Sequence, residues 1–426
     1  MKTKLKKYFW KKDLVKFIYN FFIVLLFTIC RPARLISTKI NLFYSGRAKS
    51  FKILKKEVSS NEKNIWFHVS SLGEFEIAKP IIDSLKKKFN SIKIIVTFFS
   101  PSGYENSKKF QFADLKLYLP IDSSYNAKRF VRIVNPSIAI FIRNDIWSNY
   151  IYYLKENNSI IYSLSSEFDE SQFYFKFYGY WFLKQLKKID FFYVQNDNSK
   201  KILQENSFKN VHISGDSRFT TVLDTLSKNK RLTKVEKFIN NQKCFIAGSI
   251  WEDDVKLFDK ILKGNIKSII APHDMNVNFL TNLIKEYGDR CIKLSDLKDE
   301  NDFKKNILII DTIGILKYIY RYGQIVYVGG GMGKKGLHNI LEPAVFSIPV
   351  LIGKNFKGFS EAEDLISLGG VYSVNNSNEF YKCFNKLNYS ENLRSKSGKI
   401  NLNYIKKNVE KNKIFIDSLL RKIEYL

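Results

Sequence analysis

The sequence predicts an α/β protein of two parallel sheets, each wound with helices on both faces, behind an N-terminal helix that meets a membrane. Three observations carry this. From Asn64 onward, β-rich runs alternate with helical stretches in two successive series, the pattern of strand–helix–strand units. The chain has 426 residues, long for one core, and its 45% hydrophobic content is enough for two. An apolar run from Leu14 to Ile29 follows a start dominated by lysine.

That run is broken only by Lys16, Asn20 and Thr28, and it is followed by Arg31, Arg34, Lys39, Arg47 and Lys49. Phe27-Thr-Ile-Cys30 before Arg-Pro is a poor cleavage point for a signal peptide. The run is at or below the length that spans a bilayer comfortably, and basic residues on both flanks favour a helix lying in or dipping into the inner leaflet. A single-pass anchor and a buried first helix are the alternatives.

The first series reads as strands at 65–70, 92–98, 115–119, 137–142, 159–164, 191–195 and 211–214, with helices at 74–89 and 101–110 among the connections. Gly215 to Thr220 leads into a polar stretch, Ser227 to Lys237, taken as the boundary. The second series has strands at 244–247, 268–271, 307–310, 324–328 and 350–352. From Glu379 to Leu426 the pattern is helical and long enough to cross back to the first domain. The expected organisation is a membrane-associated segment at 1–50, a first domain at 51–225, a second at 226–390 and a C-terminal helix at 391–426.

The formal charge is 70 minus 41, or +29, which suits an anionic partner. Lysines are scattered through nearly every segment beside abundant Asn, Ile, Phe and Tyr, so the charge is discounted as a sign of nucleic acid. Four cysteines at 30, 244, 291 and 383 show no paired spacing, and the four histidines at 68, 212, 273 and 338 form no ligand set, so no catalytic metal is expected.

The stretch Tyr327 to Val350 reads as strand, glycine loop, helix and strand. Gly329, Gly330, Gly331 and Gly333 end the strand, and a helix is expected near His338 with Ile340, Leu341, Ala344 and Val345 on its buried face. Amides at such a helix start can hold a phosphate. His338, Asn339 and Glu342 can reach a ligand's hydroxyls, and Glu342 can accept two from one ribose. The same glycines also suit a ligand-free turn; the polar trio tips the reading toward a ligand.

In the first half, Trp66-Phe-His-Val-Ser-Ser-Leu-Gly-Glu74 lies at the carboxyl end of the first strand, the edge at which open α/β sheets bind ligands. Glu74, at a helix start, can serve as general base toward an acceptor hydroxyl or be only an N-terminal helix charge. Asp122 and Asp145 are the next carboxylates for the role. Phe98-Phe-Ser-Pro-Ser-Gly103, Ala247-Gly-Ser-Ile-Trp-Glu252 and Ala271-Pro-His273 also fall at strand carboxyl ends.

With Gly46-Arg47, Leu119-Pro-Ile-Asp122, Ile146-Trp-Ser-Asn149, Asp311-Thr-Ile-Gly314 and His338-Asn-Ile-Leu-Glu-Pro343, these loops form an ordered set. In that set the chain resembles the family of 3-deoxy-D-manno-octulosonic acid (Kdo) transferases of lipopolysaccharide synthesis, over nearly all of its length after the membrane segment. The resemblance implies two facing Rossmann-like domains of the GT-B type. It implies inverting transfer of Kdo from CMP-Kdo to the lipid A precursor, lipid IVA, at the cytoplasmic face of the inner membrane, with no metal or other cofactor and no nucleic acid partner. Carried over by position, Glu74 is the catalytic base, and Pro272, His273, Ile313, Gly314, Ile315, Asn339, Ile340, Leu341 and Glu342 contact the cytidine nucleotide. The alternatives are another nucleotide sugar on the same fold, or a non-catalytic, membrane-bound nucleotide-binding protein. The chain departs from the family pattern at Ile142-Arg-Asn-Asp-Ile-Trp147, where acidic residues commonly precede the tryptophan. It departs again at Ala271-Pro-His273, in place of Pro-Arg-His, and at Gly314-Ile315, in place of Gly-Glu.

Overall fold

The computed structural model describes residues 2–59, 64–108, 110–214, 218–228 and 230–424, with side chains except at 2–13 and 412. Two compact units divide it: Met1–Arg218 with Asn408–Leu426, and Phe219–Lys407.

The first unit holds β1 (Asn64–Val69), β2 (Lys93–Phe98), β3 (Leu115–Tyr118), β4 (Pro136–Ile142), β5 (Ile160–Ser166), β6 (Phe191–Val194) and β7 (Val211–Ile213). They form one sheet in the order β3-β2-β1-β4-β5-β6-β7, with every pair parallel. All six residues of β1 are buried, as a strand covered on both faces requires. Trp66, Phe130, Phe141 and Tyr150 fill one side of the sheet, and Phe67, Phe75 and Phe98 the other.

The second unit repeats the plan with β8 (Cys244–Ile250), β9 (Lys267–Pro272), β10 (Cys291–Lys293), β11 (Ile307–Ile309), β12 (Ile325–Val328), β13 (Val350–Gly353) and β14 (Val371–Val374). Their order is β10-β11-β9-β8-β12-β13-β14, again parallel throughout. The chain reverses its direction across the sheet between β1 and β4 in the first unit and between β8 and β12 in the second. Crevices at such reversals are where these sheets bind ligands.

Several expectations need correction. The strands β10 and β14, of three and four residues, were not foreseen; Cys-Ile-Lys and Val-Tyr-Ser-Val are too short to show a period. The helix expected from His338 is only Leu341–Ala344. The C-terminal helical pattern is two helices, Ser377–Tyr389 and Glu391–Glu424, interrupted by Ser390 in extended conformation. The polar stretch read as a boundary contains the helix Thr233–Ile239, which buries Val235, Phe238 and Ile239. Residues 215–217 of the preceding motif lie outside the described residues. The unit division falls at 218/219 and again at 407/408, inside Glu391–Glu424, rather than at 225/226 and 390/391. Within that helix Asn401 bonds the carbonyls of Ile348 and Gly370, whereas Phe415, Leu419 and Ile423 join the first unit's core.

The boundary at 50/51 falls inside the continuous helix Thr38–Glu57, where Ser50 donates to the Tyr118 carbonyl at 2.7 Å. The preceding helix, Lys2–Ile29, is docked rather than free. Tyr19 Oη donates to Asp122 Oδ2 at 2.6 Å, and Asn20 Oδ1 accepts from Ser124 N at 2.7 Å. Lys16 Nζ stands 3.9 Å over the Tyr152 ring, and Tyr44 Oη donates to the Phe27 carbonyl at 2.7 Å. Two of the polar breaks in the apolar run are thus its points of attachment. On the other side Phe17, Phe21, Phe22, Leu26 and Ile29 are each more than half exposed. Leu14–Leu35 is long and apolar enough to cross a membrane by length and composition.

Asp122 is buried, and its carboxylate also accepts from the amides of Asn149 and Tyr150 at 3.2 and 3.3 Å. Removing one donor from a buried charge costs roughly 1–3 kcal/mol. Tyr19→Phe is therefore expected to lower the unfolding free energy from denaturant titration by that amount, and adding Asp122→Asn is expected to recover part of the loss. Unchanged stability in Tyr19→Phe contradicts the docking role.

Candidate active site

At the β1/β4 edge, register sets the first side chains. Parallel pairing puts His68 beside Thr97, and His68 Nδ1 lies 2.8 Å from Thr97 Oγ1. His68 Nε2 lies 2.7 Å from Asp145 Oδ2, and Ser70 Oγ donates to the same oxygen at 2.7 Å. Trp147 brings its indole N–H to 3.1 Å from His68 Nε2. Burial alone would push Asp145 up, but the charge and hydrogen bond of His68, with bonds from Ser70 and Trp147, outweigh it and hold the carboxyl below its ordinary value.

Glu74 is the third residue of the helix Leu72–Lys88, whose N-cap Ser71 accepts from the Glu74 amide. Its Oε2 accepts from the Ser70 amide. Burial pushes the Glu74 carboxyl up; the Ser70 bond, His68 and Arg143 oppose this, Asp145 adds to it, and the net effect is upward. Two neighbouring carboxyls are thereby pushed apart, one staying ionised and one made more basic, which is the pattern of a proton-transfer site. Glu76, on another face of the helix, pairs with Lys79 instead.

The second loop packs close because Gly103 has no Cβ: one would stand 3.1 Å from the Ser71 carbonyl carbon. Gly46 likewise makes room for the Tyr118 ring, which a Cβ would meet at 2.3 Å. Beside it Arg47 donates to the carbonyls of Phe43 and Phe99 at 3.1 and 2.8 Å and lies 3.5 Å over the Phe43 ring. Burial lowers its pKa to about 9. The Phe99 ring in turn stacks on Trp147 at 5.2 Å. Of the two reserve carboxylates, Asp145 belongs to this network, whereas Asp122 serves the N-terminal helix.

In the second unit the loops after β8, β9 and β12 bring Trp251, His273 and His338 together. The two imidazoles stack at 3.8 Å and 12°, and the Trp251 ring is 4.9 Å from His273. Trp251 Nε1 donates to His338 Nε2 at 2.9 Å. Burial, then the charge of His273, pushes His338 down to about 4, so its ring is a neutral acceptor at physiological pH. Burial also lowers His273. Lys335 Nζ stands 5.1 Å over the Trp251 ring.

Asp254 fixes the glycine loop, accepting from Gly330 N at 3.1 Å, Trp251 N at 2.9 Å and Tyr327 Oη at 2.6 Å. Gly330 has φ +90°, and a Cβ there would stand 2.1 Å from the Gly336 carbonyl oxygen. Asn339 Oδ1 accepts from Leu341 N at 3.1 Å, and its Nδ2 is 3.5 Å from Glu342 Oε1, so these two polar residues share one corner. The Leu341–Ala344 helix is a single turn, so a phosphate here depends on loop amides more than on a helix dipole. Pro272, Ile340 and Leu341 are buried in the fold, so only their backbone is open to a contact of the kind expected from the sequence. Ile313 is 84% exposed, Gly314 has φ +88°, and Ile315 caps the helix Leu316–Ile319; this loop follows β11, beside β9.

Sequence reasoning gave no role to Trp251, Lys335, Ser70 or Tyr320. Trp251 had a signal, an aromatic residue just after Gly248-Ser249. Tyr320 had none: it is buried, hydrogen-bonds Ser249, and its hydroxyl occupies the space where a Gly248 Cβ would lie.

Residues 45–221 match the family model described as 3-Deoxy-D-manno-octulosonic-acid transferase (kdotransferase). A bifunctional glycosyltransferase/methyltransferase of Fusobacterium nucleatum is 29% identical over 415 residues, 92% of this chain; the chain spans 63% of that protein's length. The 3-deoxy-D-manno-octulosonic acid transferase of Aquifex aeolicus is 26% identical over 344 residues, 77% of this chain and 88% of that protein. Among solved structures, the UDP-GlcNAc 2-epimerase of Neisseria meningitidis bound to UDP-GlcNAc superposes with a TM-score of 0.61 at 16% identity, over 84% of this chain and all of that one. The fold is the two-domain α/β GT-B class, and the resemblance to the Kdo transferase family is borne out.

His338 takes up its proton near pH 4 in the fold, against 6.5 in a free chain, so the unfolded state binds more protons between those values. Its contribution to stability is complete above pH 6.5 and is lost as pH falls toward 4. His338→Gln keeps an acceptor and removes that titration. Denaturation of both proteins from pH 7.5 to 5 is expected to show a shallower acid loss in the variant; parallel curves overturn this.

Proposed function

We propose that this chain is an inverting glycosyltransferase that moves Kdo from CMP-Kdo to a lipid A precursor, lipid IVA, at the cytoplasmic face of the inner membrane. The observation that carries the reading is Glu74, a carboxyl made more basic by burial at the β1/β4 edge, beside Asp145 held ionised by His68. The match of residues 45–221 to the Kdo transferase model supports it.

Donor and base are divided between the units. On the second, the glycine loop and Lys335 meet the phosphate, Glu342 and Asn339 the ribose hydroxyls, and the Trp251, His273 and His338 rings offer flat surfaces. On the first, Glu74 takes the proton of the acceptor hydroxyl as its oxygen bonds to the anomeric carbon. The bond from that carbon to the phosphate oxygen breaks, and its electron pair leaves with cytidine monophosphate. Attack opposite the leaving group inverts the anomeric centre. Only protein groups are needed for these steps, and no resident cofactor takes part.

The exposed apolar face of the first helix supports a membrane contact. Its attachments run from Lys16 to Phe27, eleven residue steps or about 16 Å of helix axis, and spanning would carry that attached face into hydrocarbon. The helix therefore lies along the surface. Phe177, Tyr178 and Tyr180, all exposed, flank Trp181 and Phe182, whose rings pack on Tyr19 at 5.4 and 5.6 Å, and they extend the same contact.

General bases contribute about a hundred- to ten-thousand-fold. Glu74→Gln is expected to cut turnover at least about a hundred-fold with donor affinity nearly unchanged, and Glu76→Gln to stay near wild type. The acid limb of the wild-type rate profile is expected above an ordinary carboxyl, because Glu74 acts deprotonated and its pKa is raised. Equal turnover in the two variants moves the base elsewhere.

Loss of a charge-assisted hydrogen bond costs roughly 1.5–3 kcal/mol. Glu342→Ala and Asn339→Ala are accordingly expected to raise the donor's Michaelis constant about ten- to a hundred-fold. A larger thermal shift with cytidine than with uridine or guanosine monophosphate is expected in the wild type. A stronger uridine response favours a different nucleotide sugar.

A further inference from the structure

Within the first unit a cavity of about 520 Å³ opens between the helix Lys2–Ile29, the turn Arg31–Leu35 and the helix Thr38–Glu57. Val24, Phe27 and Phe51 give it apolar walls, and Arg31, Arg34 and Arg47 are among its lining residues. Neither Asp nor Glu is among the lining residues, and among the described residues none of the three arginines is ion-paired. Arg47 spends its guanidinium on two backbone carbonyls and feels the Asp145 carboxylate, but Arg31 and Arg34 stand at this concave space without an ion pair and call for an anion, and a phosphate accepts bonds from several guanidinium groups at once. The walls set a second condition. Two of them, Val24 and Phe27, belong to the helix whose other side is an exposed apolar face, so the anion is to be expected on a molecule that also carries hydrocarbon.

Arg47 connects this cavity to the site already described. Its guanidinium bonds the Phe99 carbonyl, the Phe99 ring stacks on Trp147, and Trp147 reaches His68 beside Asp145. We propose that the cavity is the seat for a phosphate of the membrane-borne acceptor lipid, with an acyl chain along Val24 and Phe27. A sugar hydroxyl of the seated lipid is thereby held toward the Glu74 edge. This assignment rests on the reading of the chain as a transferase acting on a phosphorylated lipid.

The test uses the full chain and Arg31→Gln/Arg34→Gln. Both of these arginines are exposed, whereas Arg47 is buried and bonded to backbone. Binding is measured to phosphatidylcholine vesicles containing an acylated bisphosphorylated glucosamine disaccharide, or phosphatidylglycerol of equal charge, or no anionic lipid. A soluble, deacylated bisphosphorylated disaccharide and inorganic phosphate are the controls. Wild type is expected to bind the glycolipid vesicles most tightly. The double variant is expected to lose roughly ten- to thirty-fold, at about fivefold per juxtamembrane arginine, while still binding the uncharged vesicles. Equal binding of both anionic vesicles reduces the cavity to a charged surface and overturns the proposal. So does undiminished glycolipid binding by the variant, or binding of the deacylated sugar or inorganic phosphate as tight as that of the lipid. No arm depends on transfer. A wild type that shows the expected preference but transfers no Kdo overturns the choice of Kdo as the sugar and leaves the cavity standing as a seat for a phosphorylated lipid.

Discussion

Every strand pair in both sheets is parallel, and a parallel pair cannot be closed by a tight turn; the chain must return through a helix on one face. All carboxyl ends of a sheet therefore lie along one edge, each followed by a loop and a helix start. That constraint gathers residues far apart in sequence. His68 and Asp145 meet because β1 and β4 are neighbours; Trp251 and His338 meet because β8 and β12 are. It also forces the strands to be apolar on both faces, so polar groups at the edge carry the chemistry almost by elimination.

The two edges use burial in different ways. At Glu74 burial raises a carboxyl and makes it a better proton acceptor, while a histidine and two further donors keep Asp145 charged at close range. At His338 burial and a stacked second imidazole suppress protonation, leaving flat neutral rings with an indole N–H already satisfied. On the proposed function, one edge moves a proton and the other holds a planar, anionic ligand without titrating. The difference is set by neighbours more than by the residue types.

Much of this was legible in the sequence. Long buried strands announce themselves as apolar runs bounded by Gly, Pro and Ser, and Glu74, His273, Asn339 and Glu342 stood at positions that strand edges make accessible. What escaped was of two kinds. β10 and β14 are shorter than any window in which periodicity can be seen, and the one-turn helix at Leu341 cannot be extended back to His338 because Pro343 has no N–H for the carbonyl four residues before it. The other kind is tertiary. The stack of His273 on His338, the pinning of Gly330 by Asp254 and the pairing of Gly248 with Tyr320 join residues 65 to 76 positions apart, and a one-dimensional pattern has no term for such pairs.

The N-terminal helix shows how one run of residues serves two solvents. Its period places Lys16, Tyr19, Asn20 and Phe27 toward the fold, where Asp122, Ser124 and Tyr44 answer them, and leaves Phe17, Phe21, Phe22, Leu26 and Ile29 outward. Full burial of such a side chain is worth about 1.5–3 kcal/mol, so even half of that over five residues adds up to several kcal/mol of attraction to an apolar phase. Hydrogen bonds on the inner face add little to that attraction but fix its direction. A freely jointed anchor would hold a protein near a lipid surface in any orientation; on the membrane contact proposed above, this helix, bonded to the segments that follow β3 and β4, would tie the membrane plane to the edge where Glu74 stands. The lipid acceptor proposed above would then be met at a fixed height by lateral diffusion alone. The polar breaks that looked like flaws in an anchor are what give it an orientation.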